Sequence, residues 1–214
     1  MHSVVDGATP ALKRRVNTAH RLTAAARRRT GEDGLSGFTV DEICDEAGIS
    51  RRTFFNYFAS KEDAVLGFTT LWDQQELEER FTAGGDPDEP GISASLLDDY
   101  AALLVERWTE VGLTPEHVAD LVAATDREPR LFSRLFESIR ARERADIDLV
   151  RTREGLPEDD VRANVAVQMV SALAGACMGR FLDPDNTDPL HTIMQRRLVA
   201  AREVFAATLT GGNR

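Results

Sequence analysis

Side chains of the types that hydrogen-bond to the edges of DNA bases cluster within six residues: Arg51, Arg52, Thr53 and Asn56. Arginine can donate two hydrogen bonds to guanine, and asparagine can pair in a bidentate manner with adenine. On a helix over residues 51–57 these side chains and Tyr57 would share the exposed side, while Phe54 and Phe58 would face inward. Such a helix fits the major groove of B-form DNA, which is about 12 Å wide. The spacing therefore indicates a helix that can reach base edges.

Local signals predict the elements that position this helix. Thr39 and Glu42 have the spacing of a capping box, so a preceding helix is predicted to begin at Val40. Gly48 ends that helix, because glycine tolerates the left-handed backbone of a helix C-terminus, and Ser50 is a favourable N-cap for the next one. Beyond these two helices, the sequence predicts a further helix after Ser60, where Asp63 repeats the capping spacing. The N-terminal amides of that helix and Lys61 are suited to hold a backbone phosphate.

The segment TVDEICDEAGISRRTFFNYFASKED, residues 39–63, resembles the DNA-binding half of the TetR family of bacterial repressors, and the likeness extends upstream to Arg15. The resemblance implies that Thr39 and Lys61 contact phosphates and that Phe55 and Tyr57 pack on or bond to the DNA backbone. The expected DNA-binding residues are Thr39, Ser50, Arg51, Arg52, Thr53, Phe55, Asn56, Tyr57 and Lys61.

Two alternatives compete with DNA recognition. A helix-turn-helix pattern is also found at packing corners of all-helical proteins. The basic side, the two capping signals and the aromatic run together favour a DNA-binding unit over a packing corner. A helical adaptor that binds a protein through the same unit is the second alternative. Salt discriminates, because only binding through several phosphate contacts weakens steeply as salt rises.

Charge is distributed unevenly along the chain. Residues 1–61 contain ten Lys or Arg against seven Asp or Glu, a net charge of +3, whereas the whole chain carries −10. Only the N-terminal part therefore attracts a polyanion, and the acidic remainder improves solubility. The basic tract Lys13, Arg14 and Arg15 has two open interpretations, an arm that contacts DNA or a solvated segment.

Composition predicts a folded protein of a reducing compartment. The chain has 214 residues, of which 42% are hydrophobic, enough for a proper core. Cys44 and Cys177 lie far apart on apolar helix faces, so we expect free buried thiols rather than a disulfide. The sequence has no signal peptide and no apolar run approaching about 18 residues. We therefore expect a cytoplasmic protein that does not enter a membrane.

The fold class is predicted to be all-α, with about nine helices in two domains. Residues 1–60 would form a DNA-binding domain with a three-helix unit, and residues 61–214 a helical domain for effector binding and dimerisation. A long helix over residues 61–81 would link the domains as a lever. Further helices are predicted over residues 93–111, 115–126, 129–153, 158–182 and 189–209.

The last two helices have more apolar surface than one core needs, which indicates a symmetric four-helix dimer interface. The alternative is that they complete the core of a monomer. The TetR resemblance implies the dimer, because that family dimerises through its final two helices. The candidate interface residues are Met169, Leu173, Ala176, Met194, Leu198 and Phe205. A dimer would read a palindromic operator with its recognition helices about 34–36 Å apart.

The resemblance also implies a repressor that a small-molecule effector releases from DNA by displacing the lever. Aromatic residues of the middle helices are candidates for the effector pocket, with plain core positions as the alternative: Trp72, Tyr100, Trp108, Phe132 and Phe136. The segment PRLFSRLFESIRARERADID is also similar to an actinobacterial subgroup associated with acyl-CoA-like ligands. There Arg130, Arg134 or Arg140 would meet an anionic head group, unless they are exposed helical arginines.

An enzyme is the third class of function to consider. The four histidines have no metal-ligand spacing, and the sequence lacks a nucleophile elbow, a phosphate-binding glycine loop and a dinucleotide fingerprint. We therefore expect no catalytic activity, no metal and no cofactor.

Overall fold

The computed structural model describes residues 10–69, 74–85, 91–111 and 114–210. These residues form helices and no strand, which confirms the all-α prediction. The described helices are α1 (Pro10–Asp33), α2 (Val40–Ala47), α3 (Arg51–Phe55), α4 (Lys61–Leu66), α5 (Gln75–Ala83), α6 (Leu96–Val111), α7 (Pro115–Arg127), α8 (Pro129–Glu154), α9 (Val161–Phe181) and α10 (Leu190–Thr210). The five helices from α6 to α10 agree with their predicted ranges to within three residues at each end.

The prediction of one continuous helix over residues 61–81 is wrong, and this accounts for a tenth helix where about nine were expected. The helix α4 ends at Leu66, and Gly67 follows with a φ of 81° in the left-handed region. The carbonyls of Asp63 and Ala64 accept hydrogen bonds from the amides of Phe68 (2.9 Å) and Gly67 (3.3 Å). This pattern terminates a helix, because it satisfies the last carbonyls within the turn.

The chain packs as two compact units. The N-terminal unit comprises His2–Gln74 and Trp108–Ala141, and the C-terminal unit comprises Gln75–Arg107 and Arg142–Arg214. The helices α4 and α7 therefore pack with the predicted DNA-binding residues. The functional division into residues 1–60 and 61–214 stays a prediction, since compactness does not test it.

The N-terminal unit is organised around α1, which packs against α2, α4 and α7. Its core contains aliphatic and aromatic side chains from these helices, from α3 and from the segment after α3, all with no exposed surface: Ala26, Ile43, Phe54, Phe58, Val65 and Ala124. The inward orientation predicted for Phe54 and Phe58 is therefore confirmed. Because both rings are anchored in this core, the α2–α3 pair is held rigidly against α1.

The C-terminal unit contains a tight pair formed by α9 and α10. One face of α9 is buried through residues at helical spacing: Ala163, Ala166, Val167, Val170, Ala174 and Cys177. The Cys177 thiol lies 3.6 Å from the Met194 sulfur. Both cysteines are free and buried, as the sequence predicts. Burial raises the pKa of each thiol, so neither is a ready nucleophile.

Among the described helices, α9 is long and apolar enough to cross a membrane by length and composition. The sequence analysis expected no apolar run approaching about 18 residues, so it did not predict a helix of this kind. A core helix of a soluble protein passes the same test, and six residues of α9 are buried within the chain.

Candidate DNA interface

The helix α2 begins as its capping residues predict. The Glu42 amide donates to Thr39 Oγ1 over 3.2 Å, and the Thr39 amide donates to Glu42 Oε2 over 2.7 Å. The hydrogen bonds that the Glu42 carboxylate accepts from the Thr39 amide and, next, from the Thr39 hydroxyl lower the pKa of Glu42. At the other end, Gly48 adopts a φ of 66° in the left-handed region and lets the chain turn. The entry and exit of α2 are thus fixed by local chemistry.

The helix α3 is two residues shorter than the predicted range 51–57. Ser50 caps it by accepting a hydrogen bond from the Thr53 amide over 3.1 Å, and it ends at Phe55. The amide of Asn56, the C-cap residue, donates to the carbonyls of Arg52 and Thr53, so the last turn tightens. Within this pair of helices, the predicted helix, short turn and second helix are all present.

One side of α3 is exposed and carries most of the residues expected to face DNA. Arg51, Arg52 and Asn56 are exposed, Phe55 is 45% exposed, and Thr53 is half-buried. Tyr57 was predicted on the same side, and this placement is wrong because its side chain is only 8% exposed. Tyr57 lies three residues after Phe54, a spacing that places it on the inward face with Phe54 and Phe58, and its ring lies beside Phe58.

Lys61 has an environment that its sequence position did not reveal. Its ammonium donates to the carbonyls of Leu35 and Phe38 and lies 4.3 Å from the centre of the Phe38 ring. The ammonium has three hydrogens, so one remains available for a phosphate. Lys61 therefore links the start of α4 to the loop that enters α2.

Several arginines around the helix pair are already engaged by carboxylates. Arg51 pairs with Asp41 at 3.2 Å, and Arg28 and Arg29 both pair with Glu46. Arg52 has no ion pair within the described part of the chain. The net electrostatic attraction of this surface for DNA is thus moderated by the acidic side chains of α2.

Three contacts that sequence reasoning missed connect α1, α4 and the loop before α2 to α7 and α8 within the N-terminal unit. Buried Arg27 donates to the carbonyls of Val65 (2.7 Å) and His117 (3.1 Å), and its burial lowers its pKa to about 10. Arg134 donates to Asp63 over 2.6 Å. These partners lie far apart in sequence, so residue types alone carry no signal for them.

The third contact closes the loop between α1 and α2. The Leu35 amide donates to Glu128 Oε1 over 2.8 Å. A carboxylate that accepts from a backbone amide fixes the path of that loop and therefore the position of Thr39, four residues later. The end of α7 thus contributes to the geometry of the DNA-facing helices.

Comparisons with known proteins agree with this geometry. Residues 22–66, which span the helix-turn-helix, match the family described as "Bacterial regulatory proteins, tetR family". The HTH-type transcriptional regulator CymR of Pseudomonas putida is 24% identical over 198 residues, which cover 91% of this chain and 94% of that relative. The putative mycofactocin biosynthesis transcriptional regulator MftR of Mycobacterium tuberculosis is 38% identical over 55 residues, 26% of this chain and 28% of that relative.

This chain is a DNA-binding transcriptional regulator, and its residues 22–66 match the DNA-binding domain of the TetR family. The match covers the capped helix pair whose geometry is described above, so DNA recognition takes precedence over the adaptor alternative. The family is one of transcriptional regulators that bind DNA.

The pocket candidates of this regulator are not gathered in a single unit. Trp108 is half-buried and Phe132 and Phe136 are exposed in the N-terminal unit, whereas Tyr100 is buried in the C-terminal unit. Trp72 lies outside the described residues. Of the arginines proposed to meet an anionic head group, Arg130 pairs with Glu128 and Arg134 with Asp63.

A buried polar cluster surrounds Tyr100 in the C-terminal unit. The Tyr100 hydroxyl donates to Asp146 over 2.9 Å, and Arg107 donates to the same carboxylate over 2.8 Å. Arg107 also donates to Glu78 over 2.9 Å. Burial, followed by the charge of Asp146, raises the pKa of Tyr100 far above its usual range. The hydroxyl is therefore neutral at physiological pH and serves as a fixed donor.

The dimer candidates divide into two groups. Met194 and Leu198 are only 2% and 3% exposed, so they belong to the core of the chain rather than to its surface. They face α9, because both helices bury one face against each other. Met169 and Leu173 are half-buried, while Ala176 and Phe205 are exposed. The exposed surface of α9 and α10 also contains apolar residues that were not predicted: Val161, Val165, Val199 and Val204.

Proposed function

We propose that this regulator is a repressor that binds a palindromic operator as a homodimer and leaves it when a small-molecule effector binds. The observation that carries the DNA-reading role is the exposed side of α3. Arg51, Arg52 and Asn56 are exposed there, while Phe54 anchors the opposite side of the helix in the core with no exposed surface. A rigidly held helix with exposed Arg and Asn side chains is suited to the major groove.

Within this proposal, the residues fall into two roles. Arg51, Arg52 and Asn56 read base edges, with Thr53 and Ser50 at the border of the contact. Thr39, Phe55 and Lys61 contact the DNA backbone and set the register. Arg52 is the strongest candidate for base reading, since its guanidinium has no ion pair to break within the described residues.

The homodimer is supported by the surface of the C-terminal unit. Val161 and Val165 on α9 are 69% and 56% exposed, and Val204 and Phe205 on α10 are 62% and 52% exposed. Exposed apolar surface of this kind marks interaction sites. Pairing of α9 and α10 with the same helices of a second copy would cover these side chains in a four-helix arrangement.

The effector part of the proposal is supported by exposed aromatic side chains on α8. Phe132 and Phe136 are 61% and 48% exposed, and the Arg140 guanidinium lies 4.8 Å from the centre of the Phe136 ring. Such a surface suits an apolar or acyl-CoA-like molecule with an anionic group. Because a transcriptional regulator acts on DNA, we place it in the cytoplasm. The proposal includes no membrane partner, no cofactor and no catalytic activity.

Selection from a random duplex pool tests the proposal. Full-length protein is used to enrich DNA at moderate salt, and Arg52→Ala and Asn56→Ala are then measured on the enriched duplex. An inverted repeat that both variants bind at least tenfold more weakly supports a dimeric, sequence-reading regulator. Enrichment of no sequence, or equal binding by both variants, contradicts it. Arg80→Ala, an exposed arginine of the C-terminal unit, is the control and should bind like the wild type.

A further inference from the structure

Asp41, an exposed carboxylate in the first turn of α2, reaches across the turn to the first residue of α3. Arg51 Nη1 donates to Asp41 Oδ2 over 3.2 Å and lies 3.5 Å from Oδ1. The guanidinium carbon of Arg51 also lies 5.7 Å from the centre of the Phe55 ring. The guanidinium is therefore held by a carboxylate at one nitrogen and lies over the face of an aromatic ring.

These contacts leave one edge of the guanidinium available. The Nε–H and one N–H of Nη2 point the same way and form a two-donor edge that does not involve Nη1. Within the described part of the chain, neither Nε nor Nη2 of Arg51 donates a hydrogen bond to a partner. A two-donor edge is what a bidentate contact with guanine O6 and N7 requires.

We propose that Asp41 is a positioning residue for base recognition, which orients Arg51 so that its Nε–Nη2 edge meets a guanine. The inference rests on the proposed base-reading role of α3. An arginine that is already held in the bound geometry loses less side-chain freedom when it binds. The same carboxylate repels phosphates, which weakens binding to duplexes that offer Arg51 no guanine. Both effects increase sequence discrimination.

The other ion-paired carboxylate of α2 has a different relation to α3. Glu46 pairs with Arg28 and Arg29, and both of these arginines belong to α1. Asp45, next to Glu46, is an exposed carboxylate of the same helix with no ion pair among the described residues. Asp45 therefore provides a matched control, since its replacement removes the same charge from α2 without touching Arg51.

The test compares Asp41→Asn with Asp45→Asn in the full-length protein. Three kinds of duplex of equal length are used: one enriched by the wild type from a random pool, a set in which each guanine pair is replaced singly, and a scrambled duplex. For Asp41→Asn we expect tighter binding to the scrambled duplex and about a fivefold loss of discrimination at one guanine position. For Asp45→Asn we expect equal changes on all duplexes.

A double variant assigns the effect to the arginine. In an Arg51→Ala background, Asp41→Asn should change discrimination at that guanine no further, because the positioned group is absent. The proposal is overturned if Asp41→Asn strengthens binding to all duplexes equally, or if its loss of discrimination adds to that of Arg51→Ala. If Arg51→Ala itself leaves discrimination intact, the base-reading role of Arg51 fails, and this result is distinguishable from a failure of Asp41 alone. Equal melting temperatures of the variants and the wild type exclude a folding defect.

Discussion

The helix-turn-helix surface and the interior of the C-terminal unit both contain arginine–aspartate pairs, yet the two pairs differ in burial. Arg51 and Asp41 side chains are each 62% exposed, whereas Arg107 and Asp146 side chains are 6% and 3% exposed. An exposed pair contributes at most about 1 kcal/mol, because water and salt screen it. Breaking a buried pair leaves an uncompensated charge and costs about 3–5 kcal/mol. The exposed arginines can therefore form new contacts with a ligand, and the buried ones fix the fold.

The buried region extends this contrast beyond one pair. The Arg153 side chain is fully buried and donates to Glu154 Oε1 over 2.9 Å. It also donates hydrogen bonds to the carbonyls of Phe81 and Gly84. Glu154 in turn accepts from the amide and hydroxyl of Ser93. Each charged group thus has several partners, so removal of one member leaves others unsatisfied.

The largest effect should follow from Asp146→Asn. This change keeps the shape of the side chain but removes the buried negative charge beside Arg107, which is left with the half-buried Glu78 alone, so we expect a loss of about 3 kcal/mol in the free energy of unfolding. Urea unfolding followed by circular dichroism measures it. Asp148→Asn on the same helix is the control, since Asp148 is exposed and should change stability by less than about 0.5 kcal/mol. Equal stability of the two variants would remove the contrast between the regions.

The second effect concerns Arg52→Ala on the recognition surface. We expect discrimination between the selected duplex and single-base variants to fall by about 1–3 kcal/mol at one position. Stability should stay within about 0.5 kcal/mol of the wild type, because the side chain is exposed. Fluorescence anisotropy and urea unfolding measure the two quantities. A stability loss as large as that of Asp146→Asn would show that Arg52 supports the fold instead.

A third effect concerns Lys61, which both stabilises the fold through its hydrogen bonds and is proposed to contact a DNA phosphate. Lys61→Met retains the apolar stem but loses the hydrogen bonds to Leu35 and Phe38, so stability should fall by about 1–2 kcal/mol. If the third hydrogen contacts a phosphate, the slope of log K against log salt should become shallower by about 0.9. Unchanged stability would contradict the linking role, and an unchanged slope would contradict the phosphate contact.

The smallest effect should come from Glu46→Gln, which breaks an exposed ion-paired cluster. We expect a stability loss below about 1 kcal/mol at neutral pH. Burial alone would raise the pKa of Glu46, but Arg29 and Arg28 hold it below the ordinary value of 4.5. The contribution of the Glu46 ion pairs to the free energy of unfolding is therefore complete above pH 4.5, the ordinary pKa. It disappears as the pH falls through the lower pKa that Glu46 has in the folded state. If the difference in free energy of unfolding between Glu46→Gln and the wild type grows as the pH falls, this predicted pH dependence is contradicted.

Local signals predicted the elements around the site. The capping box at Thr39 and Glu42, the Gly48 turn and the Ser50 cap each depend on residues within four positions, and all are present. The Thr114 cap with proline in the first turn of α7 is another case. Such signals are readable because their geometry is set by the neighbouring backbone alone.

The features that the sequence did not reveal depend on choices that no local pattern fixes. The apolar pattern continues past Gly67, so an isolated glycine did not distinguish a helix end from a tolerated interruption. The partners of Arg134 and Arg27 lie up to 90 positions away in the chain, and only the packing of α1, α4, α7 and α8 brings them together.

The central claim is that the α2–α3 surface reads DNA sequence. The most direct test is the affinity of the full-length wild-type protein for the selected duplex and for a scrambled duplex across a salt series. The account predicts at least about 10³-fold tighter binding to the selected duplex, with a steep loss of affinity for both as salt rises. Equal affinity for the two duplexes, or affinity that does not depend on salt, would contradict the claim.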